Sequence, residues 1–461
     1  MAAETVDVVV IGLGPGGEDA AARLAEAGLS VVGVEARLVG GECPYWACVP
    51  TKMMVRAADA LAEGRRVGDL AGRADLVPDF SPVATRIREE ATTGWDDAAA
   101  VERLERSGSR FLRGRARLVA PGEVAVTTDD GERRLTARRA VVLNPGTEPT
   151  IPPVDGLPGT PYWTNREAVS ATAVPDSLVV LGGGPVGCEL AQVFARFGSR
   201  VTVLESGPRL LGKDEPEAGA LLAEVFAEEG ITVRTDARAL RVRHGGDGFT
   251  VELEDGESFG AEQLLVAAGR GTDLEALGVA AVGLDAEART VPVDERMRAA
   301  DGVWAIGDVT GKGAFTHVSL YQARIAVADI LGDHEQDGDY RADYRAVPRV
   351  TFTDPEVGAV GLTEDQARDQ GLSVRTAVTE VPSAARGWIH KSGNAGFVKV
   401  VEDADRGVLV GAASAGPGGG EVLGALAVAV HGAVPTAQLK QMMYAYPTFH
   451  RAIEAALTKL E

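Results

Sequence analysis

The chain has 461 residues, of which 45% are hydrophobic and 25% charged, values typical of a soluble globular protein of about three domains. This composition excludes intrinsically disordered and collagen-like proteins. Asp and Glu number 67 against 46 Lys and Arg, which gives a formal net charge of -21, and the basic residues form no extended patch. Because such an acidic surface repels a polyphosphate, we expect no nucleic-acid partner.

Three cysteines are too few for the disulfide framework of a secreted scaffold. The first apolar run, residues 8–11, has no basic leader and is too short for a signal peptide. The longest later run, residues 423–430, falls short of the roughly 20 apolar residues that a membrane span needs. The sequence therefore predicts a cytoplasmic protein without a membrane partner.

The chain opens with the pattern of a nucleotide-binding fold. A strand-like run at residues 6–11 leads into a glycine turn and an alanine-rich helical segment, and a second strand-like run at residues 29–34 stops at Glu35. The glycines of the turn are Gly12, Gly14 and Gly17. In such a unit the first glycine makes the turn, the second lets a pyrophosphate approach, and the third allows the helix to pack closely. The N–H groups at the helix N-terminus then donate hydrogen bonds to the phosphates, and the acid accepts hydrogen bonds from ribose hydroxyls.

Residues 40–52 follow this unit and contain Cys43 and Cys48 in a C-x4-C spacing. On an ideal helix, residues five apart have Cα atoms about 8.6 Å apart, whereas a disulfide needs less than about 7 Å. We therefore expect the helix to distort near Pro44 or Pro50. If Pro44 is the first helical residue, Cys43 is the N-cap, where the helix dipole favours a thiolate. The alternative is two buried thiols, while a metal site is disfavoured because no second Cys/His pair has ligand spacing.

The nucleotide-binding pattern recurs after a long helical stretch, residues 51–106, and a group of short strands. A strand at residues 178–181 leads into a second glycine turn, and a strand at residues 200–204 ends at Glu205. The glycines of this turn are Gly182, Gly184 and Gly187. In both copies the acid follows the first glycine by 23 positions, as Gly12/Glu35 and Gly182/Glu205. Two such copies indicate two dinucleotide sites, where one glycine turn would be weak evidence.

Two residues of the second copy bear on the choice of nicotinamide cofactor. A carboxylate at Glu205 suits the 2′-hydroxyl of NADH and repels the 2′-phosphate of NADPH, and Arg209 could soften that preference. We therefore favour NADH, with NADPH as the alternative. Cys188 lies within the helix of this copy and is interpreted as a core thiol. After the polar stretch at residues 332–344 the pattern changes to α+β.

Over essentially its full length, the sequence resembles the flavin-containing pyridine nucleotide–disulfide oxidoreductases, a group that includes dihydrolipoamide dehydrogenase, glutathione reductase and mercuric reductase. The resemblance is carried by residues 12–17, 40–52, 182–189, 267–270, 305–308, 352–356 and 360–363. It implies an α/β fold class with two Rossmann-like domains, for FAD and NAD, and a C-terminal α+β dimerisation domain. The implied boundaries are residues 1–150 and 272–342 for a discontinuous FAD-binding domain, 151–271 for the NAD(P)-binding domain and 343–461 for dimerisation.

The resemblance also implies roles for individual residues. Cys48 is similar to the family's thiol next to the flavin and Cys43 to its interchange thiol, while Lys52 and Glu189 resemble the ion pair where hydride arrives. The implied FAD contacts are Gly12, Gly14, Gly17, Glu35, Gly41, Glu42, Lys52, Ala116, Gly146, Asp308 at the ribityl chain, and Thr316. The implied NAD(H) contacts are Gly182, Gly184, Gly187, Glu205, Ala239 and Gly269. The family's C-terminal helix enters the partner's active site, which implies a homodimer with a shared site.

The sequence departs from the family near its C-terminal end, where a His and a later Glu usually handle the thiol proton. Tyr446 occupies the His position and Arg451 the Glu position. A phenol with a pKa near 10 is a poor base but can donate a hydrogen bond to a leaving thiolate. His450, four residues on, is predicted to share a helix face with Tyr446, and is either a replacement base or a solvated histidine. Arg451 either covers the helix surface or attracts an anionic substrate.

Other departures lie near the cysteines. Tyr45 and Trp46 replace small or amide residues, and they either stack on a flat substrate or pack beneath the flavin. Glu42 replaces a Thr, and Asn144 stands in a segment that is usually Ala-Thr-Gly. Because the chain shows neither a C-terminal cysteine pair nor a leading metal-binding domain, we do not expect a mercuric reductase.

We therefore expect an FAD-dependent enzyme that passes electrons from NADH through the flavin to a Cys43–Cys48 disulfide and on to a small-molecule acceptor, a disulfide or another compound. The alternative is a quinone, dye or metal-ion reductase without a disulfide substrate. A third hypothesis is a redox-sensing partner protein whose dithiol state alters its binding surface.

Overall fold

The computed structural model describes residues 3–246, 248–333 and 340–460. The chain forms two compact units. The first comprises Met1–Pro50, Ile87–Thr150 and Arg270–Asp343, and the second comprises Thr51–Arg86, Ile151–Gly269 and Tyr344–Glu461. Part of the predicted polar linker, residues 334–339, and the chain end at Glu461 lie outside the described residues.

The strands, in chain order, are β1 Glu4–Ile11, β2 Val31–Glu35, β3 Arg110–Arg113, β4 Arg115–Ala120, β5 Glu123–Thr128, β6 Gly131–Leu143, β7 Glu148–Pro149, β8 Ser177–Leu181, β9 Arg200–Leu204, β10 Thr232–Arg234, β11 Ala239–Gly245, β12 Gly248–Leu253, β13 Ser258–Ala261, β14 Gln263–Val266, β15 Arg270–Gly271, β16 Arg298–Ala300, β17 Val303–Ala305, β18 Pro348–Thr351, β19 Glu356–Gly361, β20 Val374–Glu380, β21 Phe397–Asp403 and β22 Val408–Gly416.

The α-helices are α1 Pro15–Glu26, α2 Glu42–Tyr45, α3 Cys48–Leu70, α4 Ser81–Arg86, α5 Ala98–Arg106, α6 Asn165–Ser170, α7 Pro185–Arg196, α8 Pro216–Glu228, α9 Leu274–Leu277, α10 Thr316–Leu331, α11 Glu364–Asp369, α12 Ala385–His390, α13 Gly419–His431, α14 Thr436–Gln441 and α15 Arg451–Thr458. A π-helix spans Ile87–Ala91, and short 3-10 turns lie at Val279–Val282, Gly307–Thr310 and Val381–Ser383. Within the described ranges, every helix is too short or too polar to cross a bilayer.

The first unit is built on a sheet whose strands run in the order β16-β17-β6-β1-β2-β3. Its parallel core joins β1 to β2 and β6, and β6 to β17. The valines at positions 8–10 of β1 are fully buried, as expected for a parallel strand covered on both faces. Because parallel strands end at one edge, the segments after β1, β6 and β17 meet there, and this is where ligands bind in such sheets.

The second unit holds a parallel sheet, β10-β9-β8-β14, and a three-stranded antiparallel sheet, β11-β12-β13. It also contains an antiparallel five-stranded sheet, β18-β19-β22-β21-β20, whose apolar face packs with residues of α13 and α15. The predicted α/β class, with two Rossmann-like sheets and an α+β C-terminal part, is confirmed. The predicted helical stretch at residues 51–106 is divided among α3, α4, the π-helix and α5.

A buried ion cluster in the second unit holds α3 against α7. The Arg196 side chain is 2% exposed, and its guanidinium lies 2.6 Å from Asp59, 2.6 Å from Glu229 and 2.7 Å from Asp354. Burial raises the pKa of Asp59 to about 6, against the lowering effect of Arg196. Since Arg196 lies seven residues after Glu189 and Asp59 seven after Lys52, this cluster lies two helical turns beyond the Lys52–Glu189 ion pair on the same two helices.

Candidate active site

The first glycine turn has two glycines that the protein itself requires and one that it does not. Gly12 has φ +88, and a Cβ on it would lie 2.1 Å from the Asn144 carbonyl oxygen. A Cβ on Gly17 would lie 2.0 Å from the Gly12 carbonyl oxygen. Gly14 has φ -65, a conformation open to any residue, and the nearest atom to its Cβ would be Asn144 Nδ2 at 3.4 Å. The fold therefore leaves room for a side chain at Gly14, and only a bound ligand would exclude one.

The second glycine turn repeats this arrangement. Gly182 has φ +115, and its Cβ would lie 2.4 Å from the Ala267 carbonyl oxygen, while a Cβ on Gly187 would lie 2.0 Å from the Gly182 carbonyl oxygen. Gly184 has φ -79, and no described atom lies within 4 Å of its Cβ position.

The helices that follow the two turns begin with open N-termini. Gly14 is the N-cap of α1 and Gly184 of α7, and no side chain of the described residues caps either helix. The first N–H groups of a helix have no partner within it, and the dipole makes this end positive. Two such ends, each beside a glycine that leaves space, fit the pyrophosphates of FAD and of NAD(H).

The two acids after these helices are held in the same way. Each carboxylate accepts a hydrogen bond from one N–H group of its glycine turn and from the N–H group two residues further along the chain. For Glu35 the donors are Leu13 and Arg37, both at 2.8 Å. For Glu205 they are Gly183 and Gly207, both at 2.6 Å. Burial raises the pKa of Glu35, while these backbone donors favour its charged form. A carboxylate has about four lone-pair sites, so both acids can still accept hydrogen bonds from ribose hydroxyls.

A series of hydrogen bonds and one ion pair in the first unit connects Asp308 to Glu42, the residue before Cys43. Thr147 Oγ1 donates to Asp308 Oδ2 at 2.7 Å, and Arg270 Nε donates to Thr147 Oγ1 at 2.9 Å. Arg270 also forms an ion pair of 3.4 Å with Glu42. Burial raises the pKa of Asp308, against the hydrogen bond from Thr147. Sequence reasoning did not assign roles to Thr147 and Arg270, although Arg270 closes one of the segments that carry the family resemblance.

The remaining sequence-predicted cofactor contacts are spread over both units. Gly41 has φ +69, and its Cβ would lie 2.8 Å from Gly14 Cα, so the cysteine segment approaches the first glycine turn closely. Ala116 is buried in β4, and the Gly146 carbonyl accepts a hydrogen bond from Thr272. Gly269, with φ +121, follows β14, while Ala239 begins β11 in the three-stranded sheet rather than in the sheet that carries the second glycine turn.

The two cysteines lie on separate helices. Cys43 is in α2, Cys48 is the first residue of the 23-residue α3, and the N–H groups of Trp46 and Ala47 both bond to the Glu42 carbonyl in the break between them. The predicted distortion between the cysteines is therefore confirmed.

The predicted N-cap at Cys43 is wrong, because α2 begins at Glu42 and its N-cap is Gly41. Gly41 has φ +69 and ψ -149, a conformation that glycine adopts far more readily than other residues, and the helix starts directly after it. The helix-dipole argument therefore applies to Cys48, at the start of the long helix, where a thiolate is favoured.

The surroundings of the three thiols differ. Cys48 is exposed, and its Sγ lies 3.6 Å from Thr316 Oγ1, a hydroxyl at the start of α10. Cys43 is half-buried. Cys188 is fully buried in α7 and donates to the Gly183 carbonyl at 3.2 Å, and burial raises its pKa. The prediction that Cys188 is a core thiol is confirmed.

Lys52 and Glu189 form an ion pair that the chain holds from two further sides. Lys52 Nζ lies 2.6 Å from Glu189 Oε2, and the Glu189 side chain is 6% exposed. Glu189 Oε1 accepts the N–H of Phe352 at 2.9 Å, and the Phe352 ring lies 4.8 Å from Lys52 Nζ. Both carboxylate oxygens are therefore occupied, and Phe352 contacts both members of the pair. Phe352 is a functional neighbour that sequence reasoning did not single out, although it begins one of the matching segments.

The C-terminal segment departs from its prediction. Tyr446 is 69% exposed, and the Arg451 guanidinium lies over its ring, 5.2 Å from the centroid. Helix α15 begins only at Arg451, with His450 as its N-cap, so the prediction that Tyr446 and His450 share a helix face is wrong. The reason is Pro447, which disfavours helical conformation at the residue before it. The His450 ring instead packs against Tyr444, with centroids 5.8 Å apart.

The two aromatic residues between the cysteines have different exposures. Tyr45 is buried and burial raises its pKa, whereas Trp46 is half-buried, with its ring centroid 5.9 Å from that of Tyr45. The burial of Tyr45 favours packing over substrate stacking for this residue. The described residues contain no cluster of three or more His, Cys, Asp or Glu side chains suited to a metal ion.

Comparisons with known proteins agree with this geometry. The family described as pyridine nucleotide-disulphide oxidoreductase matches residues 6–327, and its dimerisation domain matches residues 347–457. A dihydrolipoyl dehydrogenase of Chlorobaculum tepidum is 33% identical over 99% of this chain and 97% of its own. A mercuric reductase of Shewanella putrefaciens is 32% identical over 96% of this chain and 79% of its own.

Solved structures show the same likeness over the whole chain. LpdA from Mycobacterium tuberculosis has a TM-score of 0.86 at 28% identity and covers 99% of this chain and 100% of its own. The HOCl-induced flavoprotein disulfide reductase RclA from Escherichia coli, in a Cu(II) complex, has a TM-score of 0.85 at 25% identity and covers 100% of both chains. The protein thus belongs to the pyridine nucleotide-disulphide oxidoreductases, the FAD-dependent enzymes that pass electrons from NAD(P)H to a redox disulfide.

Proposed function

We propose that this enzyme oxidises NADH and delivers the electrons through Cys48 and Cys43 to a small-molecule acceptor, with a disulfide as the first acceptor class. The observation that carries the proposal is the start of α3. There Cys48 lies at the N-terminus of a 23-residue helix, beside the Thr316 hydroxyl, and Lys52 follows one turn later in an ion pair with Glu189. FAD, when bound, supplies the two-electron chemistry that connects a nicotinamide to sulfur.

The chain's own part in cofactor binding follows from the two glycine turns. The open N-termini of α1 and α7 donate N–H groups to the pyrophosphates of FAD and NADH, respectively. Glu35 and Glu205 accept hydrogen bonds from the ribose hydroxyls. Asp308, held by Thr147, accepts a hydrogen bond from a hydroxyl of the ribityl chain. Lys52, fixed by Glu189, places a positive charge beside the flavin ring, as the family resemblance implies.

The sulfur chemistry uses the two cysteines in sequence. Two electrons and one proton open a Cys43–Cys48 disulfide to a Cys43 thiol and a Cys48 thiolate. Cys48 is held as a thiolate by the dipole of α3 and a hydrogen bond from Thr316. The Cys43 thiol attacks one sulfur of the acceptor disulfide, a mixed disulfide forms, and the other acceptor sulfur takes the Cys43 proton and leaves as a thiol. Cys48 then attacks Cys43, which releases the second thiol and restores the internal disulfide.

Proton delivery to the leaving sulfur falls to Tyr446 in this proposal. A phenol hydroxyl can donate a hydrogen bond to a sulfur that gains negative charge as it leaves. The Arg451 guanidinium lies over the ring of Tyr446 and also forms an ion pair of 3.1 Å with Glu454. The His450 ring packs on Tyr444, and the residue lies at the N-cap position of α15, which supports a structural role for it.

A second function is a reductase for a quinone, a dye or a metal ion. The exposed Tyr446 in place of the family's His favours it, because such acceptors do not need a base that removes a thiol proton. The names of similar proteins also point to metal ions, since they include mercuric reductases and RclA in a Cu(II) complex.

NADH is the proposed donor because of how Glu205 and Arg209 are placed. Glu205 is fixed at the end of β9 by two backbone donors, where it repels a 2′-phosphate. Arg209 donates through Nη2 to the Gly212 and Asp214 carbonyls, at 3.1 Å and 3.3 Å, so that group is committed to the backbone. This placement supports NADH over NADPH.

A homodimer with a shared active site, acting in the cytoplasm, completes the proposal. The match to the family's dimerisation domain covers residues 347–457. Apolar side chains of the same region are strongly exposed, among them Trp388 at 76%, Val428 at 69% and Met443 at 96%. Large exposed apolar side chains in one region mark an interaction surface.

The relay predicts a specific spectroscopic pattern. Two-electron reduction of the native enzyme is expected to produce the long-wavelength absorption of a thiolate next to a flavin. Cys48→Ser should abolish this band, whereas Cys43→Ser should retain it. Cys188→Ser, which changes a core thiol, is the matched control and should also retain it. A native enzyme that never develops the band would refute the relay.

The Cys43→Ser variant also separates the two functions. Under NADH, turnover of lipoamide, glutathione disulfide or a mycothiol-type disulfide should fall to background in this variant. Quinone turnover that persists in it, with no disulfide turnover by the native enzyme, would instead establish the second function.

Glu205 is predicted to set the nicotinamide preference. Glu205→Ala should lower kcat/KM for NADH about 10- to 100-fold, the size of a lost hydrogen bond to a charged group, with little loss for NADPH. Arg209→Ala is the control and should leave the NADH to NADPH ratio unchanged, since Arg209 contacts backbone carbonyls. Equal losses with both nucleotides in Glu205→Ala would contradict this assignment.

The exposed apolar region predicts a dimer that one charge can weaken. Val428→Glu on α13 places a carboxylate in the proposed interface and should shift the enzyme towards monomers in sedimentation velocity. Val77→Glu is the matched control, because Val77 is 90% exposed and lies outside the dimerisation domain. A native monomer, or a Val428→Glu variant as dimeric as the control, would exclude this interface.

A further inference from the structure

The segment before α5 has an unusual backbone. After the π-helix Ile87–Ala91, three consecutive residues have positive φ: Thr93 at +50, Gly94 at +70 and Trp95 at +59. Bulky and β-branched residues rarely adopt this conformation, and they do so where the surrounding structure imposes it. Thr92, 1% exposed, ties the segment down, since its hydroxyl donates to the Ile87 carbonyl at 3.0 Å and accepts the Trp95 N–H at 3.4 Å.

This backbone places the Trp95 indole at the end of α2. Trp95 Nε1 donates to the Tyr45 carbonyl at 3.3 Å. Tyr45 is the last residue of α2, the helix that carries Cys43. The last carbonyls of a helix have no partner within it, so an outside donor fixes where such a helix ends.

The same segment holds the chain on the other side of Cys43. Asp97 Oδ2 accepts the N–H of Val39 at 2.7 Å, in a buried position, and also pairs with Arg113 at 2.6 Å. Val39 lies four residues before Cys43, and Tyr45 lies two residues after it. Residues 92–97 therefore contact the chain at two points that bracket the cysteine.

We propose that residues 92–97 form a clamp that positions Cys43, with Trp95 as the positioning residue. The inference rests on the proposed role of Cys43 as a reacting thiol. α2 has four residues, so few hydrogen bonds of its own hold it. The clamp supplies what the short helix lacks, and the left-handed backbone at Thr93 and Trp95 is required to bring the indole to the Tyr45 carbonyl.

The test compares Trp95→Phe with Trp163→Phe in the reduced holoenzyme. Both variants keep an aromatic ring and lose an indole N–H, but Trp163 lies in the second unit, where its ring packs on Phe194. Iodoacetamide alkylation of Cys43, followed by peptide mass spectrometry, should be about three- to tenfold faster in Trp95→Phe, the effect of one lost hydrogen bond on the exposure of a thiolate. Trp163→Phe should match the native enzyme.

Amide hydrogen exchange gives a second readout that does not depend on turnover. The amides of Trp46 and Ala47, which bond to the Glu42 carbonyl, should exchange faster in Trp95→Phe. Native alkylation and exchange rates in Trp95→Phe would overturn the clamp while leaving the relay intact. Full disulfide turnover by Cys43→Ser would overturn the relay while leaving the clamp intact.

A second pair of variants tests the other contact. Asp97→Ala removes the acceptor at Val39 and should also accelerate Cys43 alkylation. Arg113→Met breaks the ion pair with Asp97 but keeps the bond to Val39, and it should leave Cys43 at the native rate. If both variants accelerate Cys43 alkylation to the same degree, the ion pair, rather than the clamp, controls the exposure of Cys43.

Discussion

A helix N-terminus without a side chain over it is the feature on which this structure depends. The first N–H groups of a helix need an acceptor, and an anionic ligand satisfies them only if it can approach the backbone. Gly14 and Gly184 provide that approach, while their neighbours in each turn are glycines because the carbonyl contacts of the fold leave no room for a Cβ. We propose that the first of these helix ends binds the flavin nucleotide and the second binds the nicotinamide nucleotide.

The same physical effect serves the sulfur chemistry. Cys48 begins the longest helix described, so the positive end of its dipole lies at the thiol that the relay needs as a thiolate. Cys43 has no comparable helix, because α2 has only four residues. The two cysteines are therefore held differently. Cys48 begins its own helix and lies beside Thr316, whereas the short helix that carries Cys43 accepts a hydrogen bond from Trp95, a residue distant in the sequence.

Local patterns in the sequence predict the local parts of the structure. The glycine turns and the acids 23 positions after their first glycines follow from short-range rules, and the structure shows them. Contacts between distant residues do not follow from such rules. The Trp95–Tyr45 bond joins residues 50 positions apart, and the Phe352–Glu189 bond joins residues 163 apart.

Two local predictions were wrong, and each has a simple cause. The helix near Cys43 starts two residues earlier than expected, at Glu42, directly after Gly41 with its positive φ. Tyr446 and His450 do not share a helix, because Pro447 separates them. In both places a glycine or proline sets the helix boundary more strongly than the spacing of the functional side chains.

The most direct test of the two-site account is the affinity of Gly14→Ala and Gly184→Ala for FAD and for NADH. Both backbones suit alanine and no atom of the described residues obstructs a Cβ at either position, so both variants should fold. Gly14→Ala should weaken FAD binding by the apoprotein about tenfold or more, and Gly184→Ala should weaken NADH binding by the holoenzyme to a similar degree, each leaving the other cofactor unaffected. Native affinity of both variants for both cofactors would contradict the account.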